Sequence, residues 1–366
     1  MPTTQADDGR PTAAHPPVAS ASDVASEDSA QAVDVHGHGV PESFLKEIAS
    51  HSDGLCGVTA ARDGDDWHVQ MPGAPVVRVV RAAMRDADRR WTWLDEQRIG
   101  VQVLSPWLDV QSSPGMSAEV ARDWARRFND AMLAEGEAAA GRHPVLASVA
   151  LHRPERAAED LVHAISSQGM AGLILNTHPP ERDLADPELE PFWSAAESLG
   201  VPVVLHPPTE GPHSAIPGVA AYGNAFGRLI DSTLVLGALV LGGLLDRHPD
   251  LVLVAVHGGG FLPYQAKRLD GASKIGPLAA LKPERGAPSA YLTSLYFDTV
   301  SLSAPAIRFL AEVAGADRVL LGTDYPFPLG GRTPVATVHE AGLSAADTRR
   351  VLHGNSTDLL RGRTRV

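Results

Sequence analysis

Cysteine is almost absent: Cys56 is the only one in 366 residues. No intramolecular disulfide can form, and a metal site built from several thiolates is excluded. We read Cys56 as a buried structural thiol. Positive charge is also short. With 31 Lys and Arg against 44 Asp and Glu, the formal charge is −13. That balance works against nucleic-acid phosphates and anionic membranes as partners, while leaving room for a local basic site that takes a small anion. Long apolar runs are missing as well. The longest, residues 234–245, is too short and too glycine-rich to span a bilayer. The first 31 residues lack the apolar stretch of a secretory signal, and their acidic residues argue against a transit peptide. The expectation is a cytoplasmic protein with neither nucleic-acid nor membrane partners.

What is present is ordinary globular material. The chain is 44% hydrophobic and 20% charged, so most of it should fold. Residues 1–31, rich in Ala, Ser, Asp, Pro and His without periodicity, read as a disordered tail. Residues 32–366 then suit one catalytic domain, since a single α/β barrel takes about 250 residues plus insertions. Short β-branched runs ending in polar or Gly/Pro residues are expected as strands at 32–36, 101–104, 145–151, 172–176, 202–206, 252–257, 295–299 and 318–322. Helical stretches separate them at 118–140, 154–167, 187–199, 227–247, 305–314 and 345–361. Eight strands in βα alternation fit a closed (β/α)8 TIM barrel, and an open doubly wound sheet would give a similar pattern. Residues 51–81 break the alternation and read as a small β-rich insertion after the first strand.

The positions of the polar residues favour the barrel. Val33-Asp34-Val35-His36-Gly37-His38-Gly39 ends the first strand. Residues i and i+2 of a strand share a face, so His36 and His38 can place two imidazoles on one metal. The triplet alone is a weak pattern. Support comes from His206 after Val203-Val204-Leu205, His257 after 252–256, and Asp324 after Val319-Leu320-Leu321-Gly322-Thr323. All fall at strand C-terminal ends, where barrel enzymes build active sites. Three imidazoles and a carboxylate suit zinc best, with manganese, iron or cobalt as alternatives when water completes the sphere. Gly258-Gly259-Gly260 follow His257, so we keep it outside the ligand set and expect it to act as general acid and base. A plain tight βα turn is the alternative use of those glycines.

These motifs resemble the amidohydrolase superfamily, and within it the 2-amino-3-carboxymuconate-6-semialdehyde decarboxylase family. The resemblance rests on Val101-Gln102-Val103-Leu104-Ser105-Pro106, His257-Gly258-Gly259-Gly260 and, most specifically, Leu321-Gly322-Thr323-Asp324-Tyr325-Pro326-Phe327-Pro328-Leu329-Gly330. It covers roughly 32–363, including Leu352-His353-Gly354-Asn355. It implies that His36, His38, His206 and Asp324 are the metal ligands and that His257 is catalytic. It further implies that Arg90 holds a substrate carboxylate, and that Arg268 reaches the site of a neighbouring subunit in a homodimer. Binuclear branches of the superfamily bridge two metals with a lysine on the fourth strand. Here that strand reads Gly172-Leu173-Ile174-Leu175-Asn176 without one, which implies a single ion. The chain departs from the family where Pro207-Pro208-Thr209-Glu210-Gly211-Pro212-His213 replaces a Trp-containing stretch; Trp67, Trp91, Trp93 and Trp107 are candidates for a replacement wall, or simply packing residues.

The expected activity is nonoxidative decarboxylation of an unsaturated or aromatic carboxylic acid, a carbon–carbon lyase reaction on a small-molecule substrate. The same site would serve an amide or lactone hydrolase, or a hydratase. A barrel that has lost activity and only binds is the third class, disfavoured by the complete ligand set.

Overall fold

The computed structural model describes residues 31–139, 141–281 and 283–362. The expected tail, apart from Gln31, lies outside the described residues. β1 (Ala32–Gly39) is buried along its whole length, as strands covered on both faces are. An antiparallel sheet follows, β2 (Thr59–Asp63), β3 (Asp66–Gln70) and β4 (Arg78–Val80), ordered β2-β3-β4. It falls in the stretch read as a β-rich insertion. Seven further strands are β5 (Ile99–Pro106), β6 (Leu146–Ala147), β7 (Gly172–Asn176), β8 (Val203–His206), β9 (Leu253–Ala255), β10 (Leu295–Asp298) and β11 (Val319–Leu320). β1 pairs with β5 in parallel, and β6 to β11 form a second parallel sheet in chain order.

Hydrogen bonds outside the ladders join the two sheets at both edges. Val35 donates to the Leu321 carbonyl at 2.9 Å and Asp324 to that of His36 at 2.8 Å; at the other seam Leu104 donates to Pro144 at 2.8 Å. Val35, Val103, Leu146, Ile174, Val204, Val254, Tyr296 and Leu320, one from each of these eight strands, pack into a single inner cluster. A filled interior of this kind is how a TIM barrel packs, and the fold is an α/β TIM barrel.

The helices form the outer layer. They are α1 (Glu42–Ser50), α2 (Ala82–Arg85), α3 (Ala87–Glu96), α4 (Ala118–Ala138), α5 (Pro154–Val162), α6 (Glu190–Leu199), α7 (Arg228–Leu241), α8 (Leu244–Arg247), α9 (Leu262–Ala272), α10 (Ala304–Ala314), α11 (Pro334–Glu340), α12 (Ala345–Arg349) and α13 (Asn355–Arg361). α4 starts where Ser117 Oγ accepts from the Val120 amide, and its buried stripe Trp124, Phe128, Met132 follows the i, i+4 period. Phe44 of α1 lies within 5.1 Å of the Phe128 ring.

Several expected elements differ in extent: the strands at 252–257 and 318–322 shorten to Leu253–Ala255 and Val319–Leu320, and the helix at 154–167 gives way to a wider turn at His163–Ser167. The strand at 145–151 shrinks to Leu146–Ala147, because the Asn129 side chain bonds both the amide and the carbonyl of Ser148 at 2.9 Å and so replaces the next ladder step. The helix at 227–247 breaks where Gly243 turns left-handed at φ 70°. The last helix is divided by a wider turn at Arg350–Gly354. Helical residues Gly223–Leu241 are long and apolar enough to cross a bilayer. Here they lie between β8 and β9, with Val235, Leu236, Leu239 and Val240 buried. Cys56 is half-buried rather than buried, and donates to Asp123. Burial and that bond push its thiol up to about 11, which keeps it unreactive.

Candidate metal centre

His36 and His38 project from β1 and His206 from the end of β8. Asp324 follows β11 in a left-handed conformation, φ 58°, that non-glycine residues seldom adopt. One ligand atom from each comes within 4.8 Å of all the others. All four side chains are buried. Each imidazole has an acceptor at Nδ1: Asp298 Oδ2 for His36 at 2.6 Å, Ser105 Oγ for His38 at 3.1 Å, and the Pro207 carbonyl for His206 at 2.8 Å. Ser105 Oγ spends its own proton on the Gly37 carbonyl, so it accepts from His38. Protons held on Nδ1 turn the Nε2 lone pairs inward.

Inward, these nitrogens crowd against one another and the Asp324 carboxylate. His36 Nε2 and His38 Nε2 stand 3.1 Å apart, each 3.2–3.3 Å from Asp324 Oδ1, and His206 Nε2 is buried without a partner. Three imidazole nitrogens and a carboxylate oxygen converging in a dry pocket form a donor set that one cation satisfies. The residues fit one divalent ion.

The electrostatics agree. Burial and the neighbouring His36 charge lower His38 to about 4, only partly offset by its bond to Asp324. Burial likewise holds His206 well below its usual range. Both are neutral ligands at pH 7. Burial would raise Asp324, but the His36 charge and bonds from its histidine neighbours hold it well below the carboxylate range. His36 is pulled down by burial, yet Asp324 and Asp298 carry it up to about 10. An entering ion takes over the charge that this proton supplies.

His257 follows β9 at φ 55°. Its ring centroid lies 5.1 Å from that of His206 and 5.4 Å from that of His36, and its Nε2 is 3.7 Å from Asp324 Oδ2. Its Nδ1 is buried without a partner. It adjoins the ligands without joining their set. Arg90 of α3 is buried beneath β1, where Nη2 donates to the His38 and Met84 carbonyls, while Nε and Nη1 have no partner. Arg268 is not brought to this cluster. It is exposed on α9 and lines an apolar cleft with Leu234, Leu241 and Leu281.

A family model described as amidohydrolase matches residues 33–362. The chain belongs to the amidohydrolase family. It is 26% identical over 345 residues to a 2-amino-3-carboxymuconate-6-semialdehyde decarboxylase of Dictyostelium discoideum, covering 90% of this chain and 91% of that one. It is 29% identical to a gamma-resorcylate decarboxylase of Rhodococcus jostii, covering 66% and 77%. Among solved structures, a dihydroxybenzoic acid decarboxylase from Polaromonas sp. JS666 with bound manganese superposes with a TM-score of 0.74 at 22% identity, covering 90% and 97%.

Three residues of this amidohydrolase site escaped the sequence reading. Asp298 and Ser105 orient the ligands His36 and His38; only pairing across the barrel reveals them. Arg228, at the start of α7, donates to Thr209 Oγ1 at 2.6 Å, and its charge helps to depress His38. Of the candidate tryptophans, Trp107 approaches Phe327, whose ring is 5.3 Å from His38, and Trp93 packs on Tyr325. Trp67 is buried in the core and bonds Glu42, while Trp91 stacks on His143. β7 carries no lysine beside the ligands, so a second bridged ion has no anchor there, and the centre is a single divalent-metal site.

Proposed function

We propose that this amidohydrolase is a metal-dependent nonoxidative decarboxylase of an unsaturated or aromatic carboxylic acid, working with zinc as a cytoplasmic homodimer. The observation that carries the reading is the single-ion donor set with His257 beside it and outside it. An ion held by His36, His38, His206 and Asp324 supplies Lewis-acid charge stabilisation and a water of lowered pKa. His257 delivers a proton from its ring to the substrate carbon that bears the carboxylate, and regains one from solvent water before the next turnover. That carbon–carbon bond then breaks, its electron pair returns to the π system, and carbon dioxide leaves. Asp324 Oδ2 faces His257 and steadies the ring through the exchange. Buried and out of water, these fixed charges act strongly on the transition state. The unpartnered Nε and Nη1 of Arg90 suit a carboxylate, and Arg228 adds a cation beside the ligands.

The homodimer is supported by Arg268 and by the apolar cleft of about 540 Å³ between α7 and α9, of a kind that marks interaction surfaces. Zinc-loaded protein incubated with hydroxybenzoates, carboxymuconate-type acids, amides and lactones is expected to release carbon dioxide from an acid, with a mass loss of that one molecule. Hydrolysis products without carbon dioxide would sink the decarboxylase reading. Sedimentation of the same sample should show a dimer; a monomer with full activity would remove Arg268 from the site.

A further inference from the structure

We infer that Asp298 is a positioning residue that sets the ligand His36 and the turn of His257 as one unit; this rests on the metal-centre reading above. Asp298 ends β10 and is completely buried. Its carboxylate accepts three bonds. Oδ2 takes the His36 Nδ1 proton at 2.6 Å, while Oδ1 takes the Gly258 amide at 2.9 Å and the Val300 amide at 3.1 Å. No Lys or Arg pairs with it among the described residues. A buried carboxylate is costly unless the lone pairs it offers are used, and here the donors come from both sides of the reaction centre. One belongs to a ligand ring. Another belongs to the residue after His257, the first step of a turn in which His257 and the three following glycines all hold positive φ. Room for the carboxylate comes from Gly322 of the facing strand end, where a Cβ would sit 2.9 Å from that of Asp298.

Both oxygens must accept, and that makes Asp298→Asn a sharp variant. An amide of the same shape has one acceptor oxygen and one NH2 group. With NH2 towards His36, it donates to Nδ1 and drives the imidazole proton to Nε2, the atom needed by the ion. With NH2 towards the backbone, it meets two N–H groups and loosens the turn of His257. Neither orientation preserves the wild-type arrangement.

Zinc affinity of wild type, Asp298→Asn and Thr299→Val is measured by competition with a chromogenic chelator, alongside the denaturation midpoint of each. Thr299→Val removes two neighbouring buried bonds to Gly322, one donated and one accepted by the hydroxyl, and serves as the structural control. We expect Asp298→Asn to weaken zinc binding by about 10- to 100-fold, and Thr299→Val to leave affinity unchanged at a similar loss of stability. Proton NMR of zinc-loaded wild type, which depends on no variant folding, should show a strongly downfield imidazole N–H from His36. Wild-type affinity in Asp298→Asn, equal weakening in both variants, or absence of that resonance would overturn the inference alone. Failure of wild type to bind zinc or manganese would instead overturn the metal-centre reading, and this inference with it.

Discussion

Replacing His257 with Ala is expected to leave the divalent ion in place and to lower turnover by about two to four orders of magnitude, the usual share of a proton-transfer group. Asp324→Ala is expected to lose the ion and the activity together. The difference follows from geometry. Asp324 Oδ1 lies 3.2–3.3 Å from two ligand nitrogens, whereas His257 reaches only the outer oxygen, Oδ2, at 3.7 Å. Removing Asp324 takes away the one anionic ligand and leaves imidazoles alone, whose hold on a divalent ion is weaker. Removing His257 deletes a neighbour of the cluster and keeps every donor. Metal content by elemental analysis, paired with kcat, separates the two. Equal metal loss in both variants would make His257 a ligand, and full turnover in His257→Ala would remove it from the chemistry.

The turn that carries His257 is the second sensitive point. Gly260 sits at φ 65° and ψ −127°, a region open in practice only to glycine, and a methyl there would collide with the Leu229 carbonyl of α7. Gly260→Ala is expected to cost about 2–4 kcal/mol, combining backbone strain with overpacking. Because the displaced turn carries His257, kcat should fall even at temperatures where the variant stays folded. Gly271 offers the contrast eleven residues further on. It lies in α9, with nothing within 4 Å of the Cβ position, and Gly271→Ala should gain about 0.5–1 kcal/mol. Thermal denaturation of the pair checks both signs, and a Gly260→Ala protein as stable and active as wild type would refute the close approach.

How the residues announced themselves differed between ligands and their supports. His36, His38, His206 and Asp324 were legible because each lies in or just after the C-terminal half of a buried strand, the face where barrel enzymes build their sites. An apolar run closed by a polar residue likewise marked β7 from Gly172 to Asn176. β6 was overextended because the Asn129 side chain, distant in sequence, takes up the Ser148 backbone. Cys56 was expected to be buried, yet nothing local sets how much of a loop residue stays exposed.

By itself, the sequence determined the alternation of strands and helices, the donor atoms available to a metal, the absence of a lysine on β7, and the glycines that permit the turn at His257. These are properties of single elements, written in periods of two and 3.6 residues and in the chemistry of individual side chains. Only the tertiary structure decided which nitrogen of each imidazole faces the cluster, that Asp298 serves His36 and Gly258 together, and that Arg228 stands near His38 while Arg268 lines a separate apolar cleft. Each depends on partners brought together across the barrel, and a hydrogen bond spanning 262 residues, such as that between His36 and Asp298, leaves no local pattern along the chain.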